Sequence, residues 1–301
     1  MGTIKFTAQM TVPQFEKLFP TDDACKQYLT ARRWPAGVRC PRCENEKVYA
    51  LPSRPFNWLC KNCDRRGYRF SVLVGTIFEN TNVPMLQWFK VVYLMLTSKN
   101  GISALQIHRM MGFGSYRTAW YMCHRVRGGL ADPEFRKLMG IVEVDETYIG
   151  GKNKNRHADK RTAGTGIAGK ETVIGAVSRK GSVVARVIAN TSADTFNRFV
   201  REAVSEKVSL IATDEHASYG DLKKTFPHKF VRHSAGQYVD GVVHTQTIDG
   251  FWSLLKRGIM GSFHKVSRKY LPLYVAEFEF RYNNRNNPDI FGAAIGRCCQ
   301  G

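Results

Sequence analysis

The chain has 301 residues, which is enough for two or three domains that each bury a core. Hydrophobic residues make up 43% and charged residues 23%, which is the composition of a folded globular protein. Lys and Arg number 45 against 25 Asp and Glu, a formal net charge of +20, so a polyanion such as nucleic acid is the expected partner. A ribosome-like or merely soluble basic protein would have the same charge balance.

The first residues, "MGTIKFTAQM", lack the apolar stretch of a secretion signal, and the run "VVYLML" is too short to span a bilayer. We therefore expect an intracellular protein without a membrane partner, cytoplasmic and associated with the nucleoid. Residues 1–36 are predicted to hold one or two short helices, and Thr21 is a suitable N-cap for the second.

Four of the eight cysteines form two Cys-x2-Cys pairs, Cys40 with Cys43 and Cys60 with Cys63, sixteen residues apart. This spacing predicts a zinc ribbon over residues 37–70, in which four thiolates hold one structural Zn²⁺. Two disulfides are the alternative, which the expected intracellular location disfavours. A ribbon of this size has little core, so the metal would supply much of its folding free energy.

Residues 71–136 follow a helical period. The run from Ile102 to Gly129 is predicted as helix, Gly-Phe-Gly turn and helix, with Ser115 capping the second helix. Ala119, Met122, Cys123 and Val126 would face inward. Arg117, His124 and Arg125 lie elsewhere on that helix and are candidate DNA contacts of a helix-turn-helix. A plain helical hairpin between domains remains the alternative.

Residues 137–286 are predicted to form, in chain order, three strands, a helix, a strand, a short helix, a strand and a long helix. This order predicts a ribonuclease H-like α/β domain with a mixed sheet. Residues 287–301 are left as a tail.

A decoy motif, "GTGIAGKE" at 164–171, resembles a phosphate-binding glycine loop. Polar, basic residues precede it and a strand follows it, whereas such a loop needs a strand before and a helix after. The basic residues ahead of the motif are instead read as a solvated or DNA-contacting insertion, with Lys152, Lys154, Arg156, Lys160 and Arg161 as candidate contacts.

Three acids occupy the positions where this topology would bring them together. Asp145 lies within the first strand, Asp214 ends the buried strand "VSLIATD", and Asp249 lies in the first turns of the long helix. Three adjacent carboxylates repel one another, and two Mg²⁺ or Mn²⁺ ions would relieve that repulsion. Each acid alone could instead have a structural role, such as accepting hydrogen bonds in a turn or interacting with the dipole at a helix N-terminus. Glu143, Glu146 and Glu215 compete for the first two positions, and Glu146 is expected to face away from Asp145.

Lys256 follows Asp249 by seven residues, two helical turns, and falls on roughly the same face. Lys256 and its neighbour Arg257 are candidate phosphate contacts, and a solvated basic helix end is the alternative.

The chain resembles the ISXO2-like transposases of IS1595-type insertion sequences. The matching stretches include "CPRC", "CKNC", "VDETYIGGK", "TDEHASYG" and "HTQTIDGFWSLLKRGIMGSFHKVS", in the order of that family. The resemblance implies a DDE-type enzyme with Asp145, Asp214 and Asp249 as the metal-binding triad and Lys256 as its basic partner. Asp249 departs from the Glu, or sometimes Asn, that the resemblance leads us to expect there.

The resemblance further implies binding to terminal inverted repeats, a homodimer or larger homo-oligomer, cleavage of the element ends and joining of the freed 3′-OH to target DNA. Two other functions remain open at this point. One is a metal-dependent nuclease without strand transfer, and the other is a non-catalytic DNA-binding protein derived from a transposase.

Overall fold

The computed structural model describes residues 10–132, 134–151, 169–231, 239 and 243–300. They form two compact units, the first from residues before 132 and after 284, the second from Asp132–Asn284. Among the helices that the structure describes, none combines the length and apolar character that crossing a bilayer requires.

The first unit opens with two capped helices, α1 (Val12–Leu18) and α2 (Asp22–Arg33). Thr11 and Gln14 form a reciprocal capping box at α1. Thr21 accepts the backbone N–H of Ala24 at 3.2 Å, which confirms it as the N-cap of α2. Each cap satisfies backbone donors that a helix start leaves without an intrahelical partner.

A three-stranded antiparallel sheet follows, β1 (Val48–Ala50), β2 (Asn57–Cys60) and β3 (Tyr68–Ser71). Its core consists of Cys40, Cys60 and Phe70, with half-buried Trp34 and Trp58 packed against them. So small a core supplies little hydrophobic free energy, so this sheet depends on the cysteine cluster described below.

Three helices continue the unit: α3 (Met85–Thr97), α4 (Ala104–Met111) and α5 (Tyr116–Leu130). Gly112 ends α4 in the left-handed region with φ 63°, and Ser115 caps α5 by accepting the N–H of Arg117. The four residues predicted to face inward from α5 are all fully buried. The helix, turn and helix of the sequence prediction are therefore present.

The stretch set aside as a tail contains a helix, α9 (Ile290–Cys298), which belongs to the first unit. Ala294, Ile295 and Cys298 are fully buried, and α9 contacts α2, α3 and α5. Asp289 caps α9 and forms an ion pair with Arg32 of α2. These residues therefore complete a core begun by the opening helices, which their sequence position did not indicate.

The second unit is built on a five-stranded mixed sheet. Its strands are β4 (Ile141–Ile149), β5 (Glu171–Ser178), β6 (Val183–Ile188), β7 (Leu210–Thr213) and β8 (His228–Phe230). Their spatial order is β6-β5-β4-β7-β8. The first three pair antiparallel, while β7 runs parallel to β4 and β8 parallel to β7. This is the ribonuclease H-like arrangement, and it confirms the predicted fold class.

Alternating side chains of this sheet supply two separate cores. Val142 and Val144 pack with α6 (Ala193–Ala203), whereas Val173 and Val177 pack with α7 (Gln246–Arg257) and α8 (Leu271–Asn283). A π-helical segment, Gly258–Phe263, joins directly onto α7. The strand β4, which holds the candidate acids, is therefore fixed from both faces.

The helix α8 also covers the open edge of β6. Asn283 accepts the backbone N–H of Val183 at 2.7 Å and donates to its carbonyl at 2.9 Å. Two residues along, Glu279 accepts the N–H of Ala185 at 3.1 Å. Side chains thus replace the missing neighbouring strand, which removes an edge that could pair with another chain.

Candidate active site and metal centres

The four ribbon cysteines converge on one point. Their sulfur atoms all lie within 4.8 Å of one another, with Cys40 and Cys63 3.5 Å apart and Cys43 and Cys60 3.7 Å apart. Thiolates at 2.3 Å from a tetrahedral Zn²⁺ would be about 3.8 Å apart. The donor set therefore fits a structural zinc ion, and the geometry favours this over a pair of disulfides.

One thiol of this cluster is already biased towards its ligand form. The backbone N–H of Asn45, followed by a hydrogen bond with Cys63, lowers the pKa of Cys43 to about 6. A thiolate is the species that binds zinc, so Cys43 is poised as a ligand, whereas the same hydrogen bond raises the pKa of Cys63, which must lose its proton when the ion binds.

The second candidate centre lies where two parallel strands separate. Backbone pairing of β4 with β7 ends at Glu143 and Ala212. Asp145 lies two residues further along β4, and Asp214 directly follows β7, so both lie at the carboxyl end of this pair, where ligands of open α/β sheets bind. Carboxylate oxygens of Asp145, Glu146 and Asp214 all lie within 4.8 Å of one another.

The carboxylates of this group repel one another, and a bound cation would reduce that repulsion. Burial, then the charges of Glu146 and Asp214, raise the pKa of Asp145 to about 7, while the indole of Trp252 opposes the shift. Three mutually repelling carboxylates offer hard oxygen ligands of the kind that Mg²⁺ and Mn²⁺ take. The oxygens of these three acids therefore suit Mg²⁺ or Mn²⁺, the ions predicted from the sequence.

A tryptophan orients Asp145. The indole Nε1 of Trp252, on α7, donates to Asp145 Oδ2 at 2.8 Å. The ring lies directly over Gly175, the cross-strand partner of Asp145, where a Cβ would come within 2.7 Å of it. Gly175 thus leaves the space that lets α7 approach the sheet and hold the carboxylate.

Glu146 does not face away from the group as the sequence predicted. Its backbone position opposite Ile174 does belong to the α6 side of the sheet. Its longer side chain nevertheless brings a carboxylate oxygen to Asp145 and Asp214. The phenol of Tyr219 donates to Glu146 Oε2 at 2.8 Å. Strand alternation predicts where a Cβ points, and it does not limit where a glutamate carboxylate ends.

Glu143, a second competing acid, has a structural role. It is fully buried and forms an ion pair with Arg179 at 2.7 Å. Its carboxylate accepts the backbone N–H of Thr247 at 2.7 Å and of Ile248 at 3.1 Å, at the N-terminus of α7. Glu143 therefore anchors the start of the helix that carries Trp252 and Asp249.

Asp249 lies in the first turn of α7 and is exposed. It is outside the group of three, yet its negative charge helps to raise the pKa of Asp145. Lys256 and Arg257 are exposed in the last turn of α7, and Arg257 donates to the carbonyl of Ser253. Glu215 is exposed beside Asp214.

The predicted DNA contacts of α5 divide by burial. Arg117 is exposed at the start of the helix. Arg125 is half-buried and donates to the carbonyl of Glu79 and the hydroxyl of Tyr121. His124 is 8% exposed, stacks on Trp120 and contacts its carbonyl at 2.8 Å. Burial removes the His124 ring from the exposed face.

The insertion predicted to contact DNA, with Lys152, Lys154, Arg156, Lys160 and Arg161, lies outside the described residues. So does most of the glycine-rich decoy. Glu171, at its end, begins the strand β5, whereas a phosphate-binding loop would open a helix there.

Sequence reasoning missed Tyr219 and Trp252. Trp252 lies one turn after buried Ile248 on the inner face of α7, so helical periodicity indicates that it is buried. Nothing in that pattern predicts its hydrogen bond to Asp145. Tyr219 lies in a three-residue 3₁₀ turn, Ala217–Tyr219, too short for a periodic signal.

Comparisons with known proteins match the chain to transposase family models and to a protein from a transposable element. A family model described as the ISXO2-like transposase domain matches residues 137–283, and one described as a transposase zinc-ribbon domain matches residues 20–66. A Halobacterium salinarum protein described as an uncharacterized protein in transposable element ISH50 is 30% identical over 279 residues, 88% of this chain and 92% of the relative.

A cryo-EM structure of the simian T-cell lymphotropic virus intasome in complex with a PP2A regulatory subunit matches 58% of this chain and 67% of its own. The identity is 16% and the TM-score 0.29. At this score the match does not establish a shared fold, and the strand order described above stands by itself.

Proposed function

Because the chain belongs to the ISXO2-like transposase family, we propose that it is a DDE-type DNA transposase that cleaves the ends of its element and joins them to target DNA. The observation that carries this proposal is the meeting of Asp145, Glu146 and Asp214 at the carboxyl end of two parallel strands. Asp249 contributes the third acid of the triad, from the first turn of α7.

Asp145 and Asp214 would hold divalent cations in this site. When bound, such ions lower the pKa of an attacking water or hydroxyl and stabilise the leaving oxygen of a phosphodiester. The protein's own part is to fix the acids. Trp252 sets the direction of Asp145, and the backbone N–H of His216 donates to Asp214 Oδ1 at 3.0 Å. Lys256 and Arg257, exposed in the last turn of α7, would contact phosphates near the reacting bond.

The helix-turn-helix of α4 and α5 would bind the element ends together with the ribbon. Tyr116 and Tyr121 of α5 are 48% and 50% exposed, with Arg117 exposed beside Tyr116. Exposed aromatic and cationic side chains on a second helix suit contacts with base edges and phosphates. We leave His124 out of this surface because its ring is buried.

Joining two ends of one element requires both ends to be held at once. A homodimer or larger homo-oligomer would supply two DNA-binding units and two sets of acids. The net charge of +20 suits the several DNA segments that such a complex must bring together.

One reaction tests the proposal. A supercoiled plasmid carrying the DNA that flanks this gene is incubated with the protein, with and without Mg²⁺, and cut ends and joined products are mapped. Asp214→Asn is run beside the unchanged protein, with Glu206→Gln as a charge-matched control. We expect Mg²⁺-dependent cuts and joined products that disappear only in Asp214→Asn, while end binding survives.

Two other results would replace the proposal. Metal-dependent cutting without joined products, under conditions where both ends are present, would identify a nuclease. End binding with neither cutting nor joining would identify a non-catalytic descendant of a transposase. Loss of end binding in Asp214→Asn would mean that Asp214 is a structural acid.

A further inference from the structure

The group of three neighbouring acids contains one member, Glu146, that the triad does not include. We propose that Glu146 is a direct ligand of the active-site cation beside Asp145 and Asp214, and that Tyr219 is the residue that positions it. This inference rests on the proposed function, since it adds a residue to the same site.

The first support is distance. Oxygens of Glu146, Asp145 and Asp214 lie within 4.8 Å of one another. Two oxygens bound to one Mg²⁺ at its usual bond length are at most about 4.2 Å apart. A small rotation of side chains, without movement of the strands, would therefore place all three on one ion.

The second support is the way the carboxylate reaches the group. Beyond Glu143, β4 has no backbone pairing with β7, although it remains paired with β5 through Ile149. The gap leaves room for a side chain rooted on the α6 side to extend towards the crevice. An aspartate there would be one methylene shorter, so the length of Glu146 matters.

The third support is the fixed position of Tyr219. Its side chain is 1% exposed and packs in the α6 core against Phe196, with ring centroids 4.9 Å apart. Its hydroxyl holds Glu146 Oε2 at 2.8 Å. A buried phenol restricts the carboxylate to few rotamers, so little conformational entropy is lost when a cation binds.

The competing interpretation is that Glu146 serves only as the hydrogen-bond acceptor of a buried tyrosine. That role alone would not require the carboxylate to lie beside two others, where repulsion destabilises the folded protein. A cation shared by the three acids would remove the repulsion. Whether Glu146 takes part in binding that cation can be measured as metal affinity.

The test is Mn²⁺ binding to the full zinc-loaded chain, measured by isothermal titration calorimetry. The variants are Glu146→Gln, Tyr219→Phe, Asp145→Asn and Asp214→Asn, with Glu206→Gln as the control for lost charge. We expect Glu146→Gln to weaken Mn²⁺ binding by at least about 10-fold, and Tyr219→Phe to weaken it less, as loss of an orienting residue does. Glu206→Gln should bind like the unchanged protein.

The outcomes separate this inference from the proposed function. Unchanged Mn²⁺ affinity in Glu146→Gln, with binding lost in Asp145→Asn and Asp214→Asn, would overturn the role of Glu146 and leave the metal site standing. Unchanged affinity in all three acid variants would overturn the metal site itself. If circular dichroism shows that Glu146→Gln is unfolded, the Mn²⁺ affinity of Tyr219→Phe tests the role of Glu146 instead, because Phe preserves the packing of the ring and removes only the hydrogen bond. Weaker binding would then support that role, and unchanged binding would overturn it.

Discussion

Glu143 and Asp145 lie two residues apart on the same face of β4, yet their surroundings give them opposite roles. Glu143 is neutralised by Arg179 and accepts N–H groups from the start of α7. Asp145 receives the indole N–H of Trp252 and otherwise faces other acids. The partners that the fold supplies decide which carboxylate is structural and which can bind metal.

The raised pKa of Asp145 predicts how the stability of the folded protein depends on pH when no Mg²⁺ or Mn²⁺ is bound. Because burial, Glu146 and Asp214 raise this pKa from 3.8 to about 7, the folded protein binds the proton more tightly than the unfolded chain. Stability should therefore fall as pH rises from about 4 to about 7. Asp145→Asn cannot lose that proton, so its melting temperature should fall less over this range and exceed that of the unchanged protein at neutral pH.

Differential scanning fluorimetry between pH 5 and pH 8, in zinc-containing buffer, checks this prediction. Added Mg²⁺ should raise the melting temperature of the unchanged protein and leave that of Asp145→Asn nearly constant. Equal pH profiles for the two proteins would show that Asp145 is not destabilised by its neighbours.

Asp249 gives a second prediction for a single residue. It is exposed on α7 and shorter by one methylene than the Glu expected from the family. We expect Asp249→Glu to retain metal-dependent cutting and Asp249→Ala to lose it by about 100-fold or more, since Ala leaves no side-chain oxygen to bind the cation. The readout is the rate of plasmid nicking in Mg²⁺. Equal rates for Asp249→Ala and the unchanged protein would remove Asp249 from the triad.

At the scale of elements, the ribbon depends on its metal more than on its core. Only Cys40, Cys60 and Phe70 are fully enclosed in its cluster. We expect Cys40→Ser to lose the bound zinc and to weaken end binding, because one thiolate of four is gone. Zinc content by atomic spectroscopy and end binding by gel shift are the measurements.

The control for that variant is Cys299→Ser, because Cys299 lies outside the four-cysteine group. It should keep both zinc and end binding. A Cys40→Ser protein that binds ends normally without zinc would show that the ribbon has no part in end recognition.

The covered edge of β6 gives a further prediction at this scale. Asn283→Ala removes both hydrogen bonds to Val183 and leaves partly buried backbone groups without these partners. We expect the free energy of unfolding to fall by about 1–3 kcal/mol, measured by urea denaturation. The exposed substitution Glu202→Ala should change it little. An equally small effect of Asn283→Ala would mean that water replaces the amide at this edge.

At the scale of the whole molecule, local patterns in the sequence predicted the order of strands and helices along the second unit and the four-cysteine cluster. Hydrophobic period and Cys-x2-Cys spacing are set by neighbouring residues, so both can be read without the fold. The reach of Glu146 and its bond to Tyr219 could not be read, because they depend on a gap in strand pairing and on a residue seventy-three positions away. The assignment of α9 to the first unit depended likewise on contacts with helices near the other end of the chain.

The placement of α9 has a consequence for synthesis of the protein on the ribosome. Residues 285–300 are translated after the whole of Asp132–Asn284, yet Phe291 and Ile295 are buried in the unit that begins with α1. The second unit can therefore finish folding while α2, α3 and α5 still expose the surface that α9 will cover. A chain released early, before residue 290, would contain every candidate metal-binding acid together with an incompletely folded first unit.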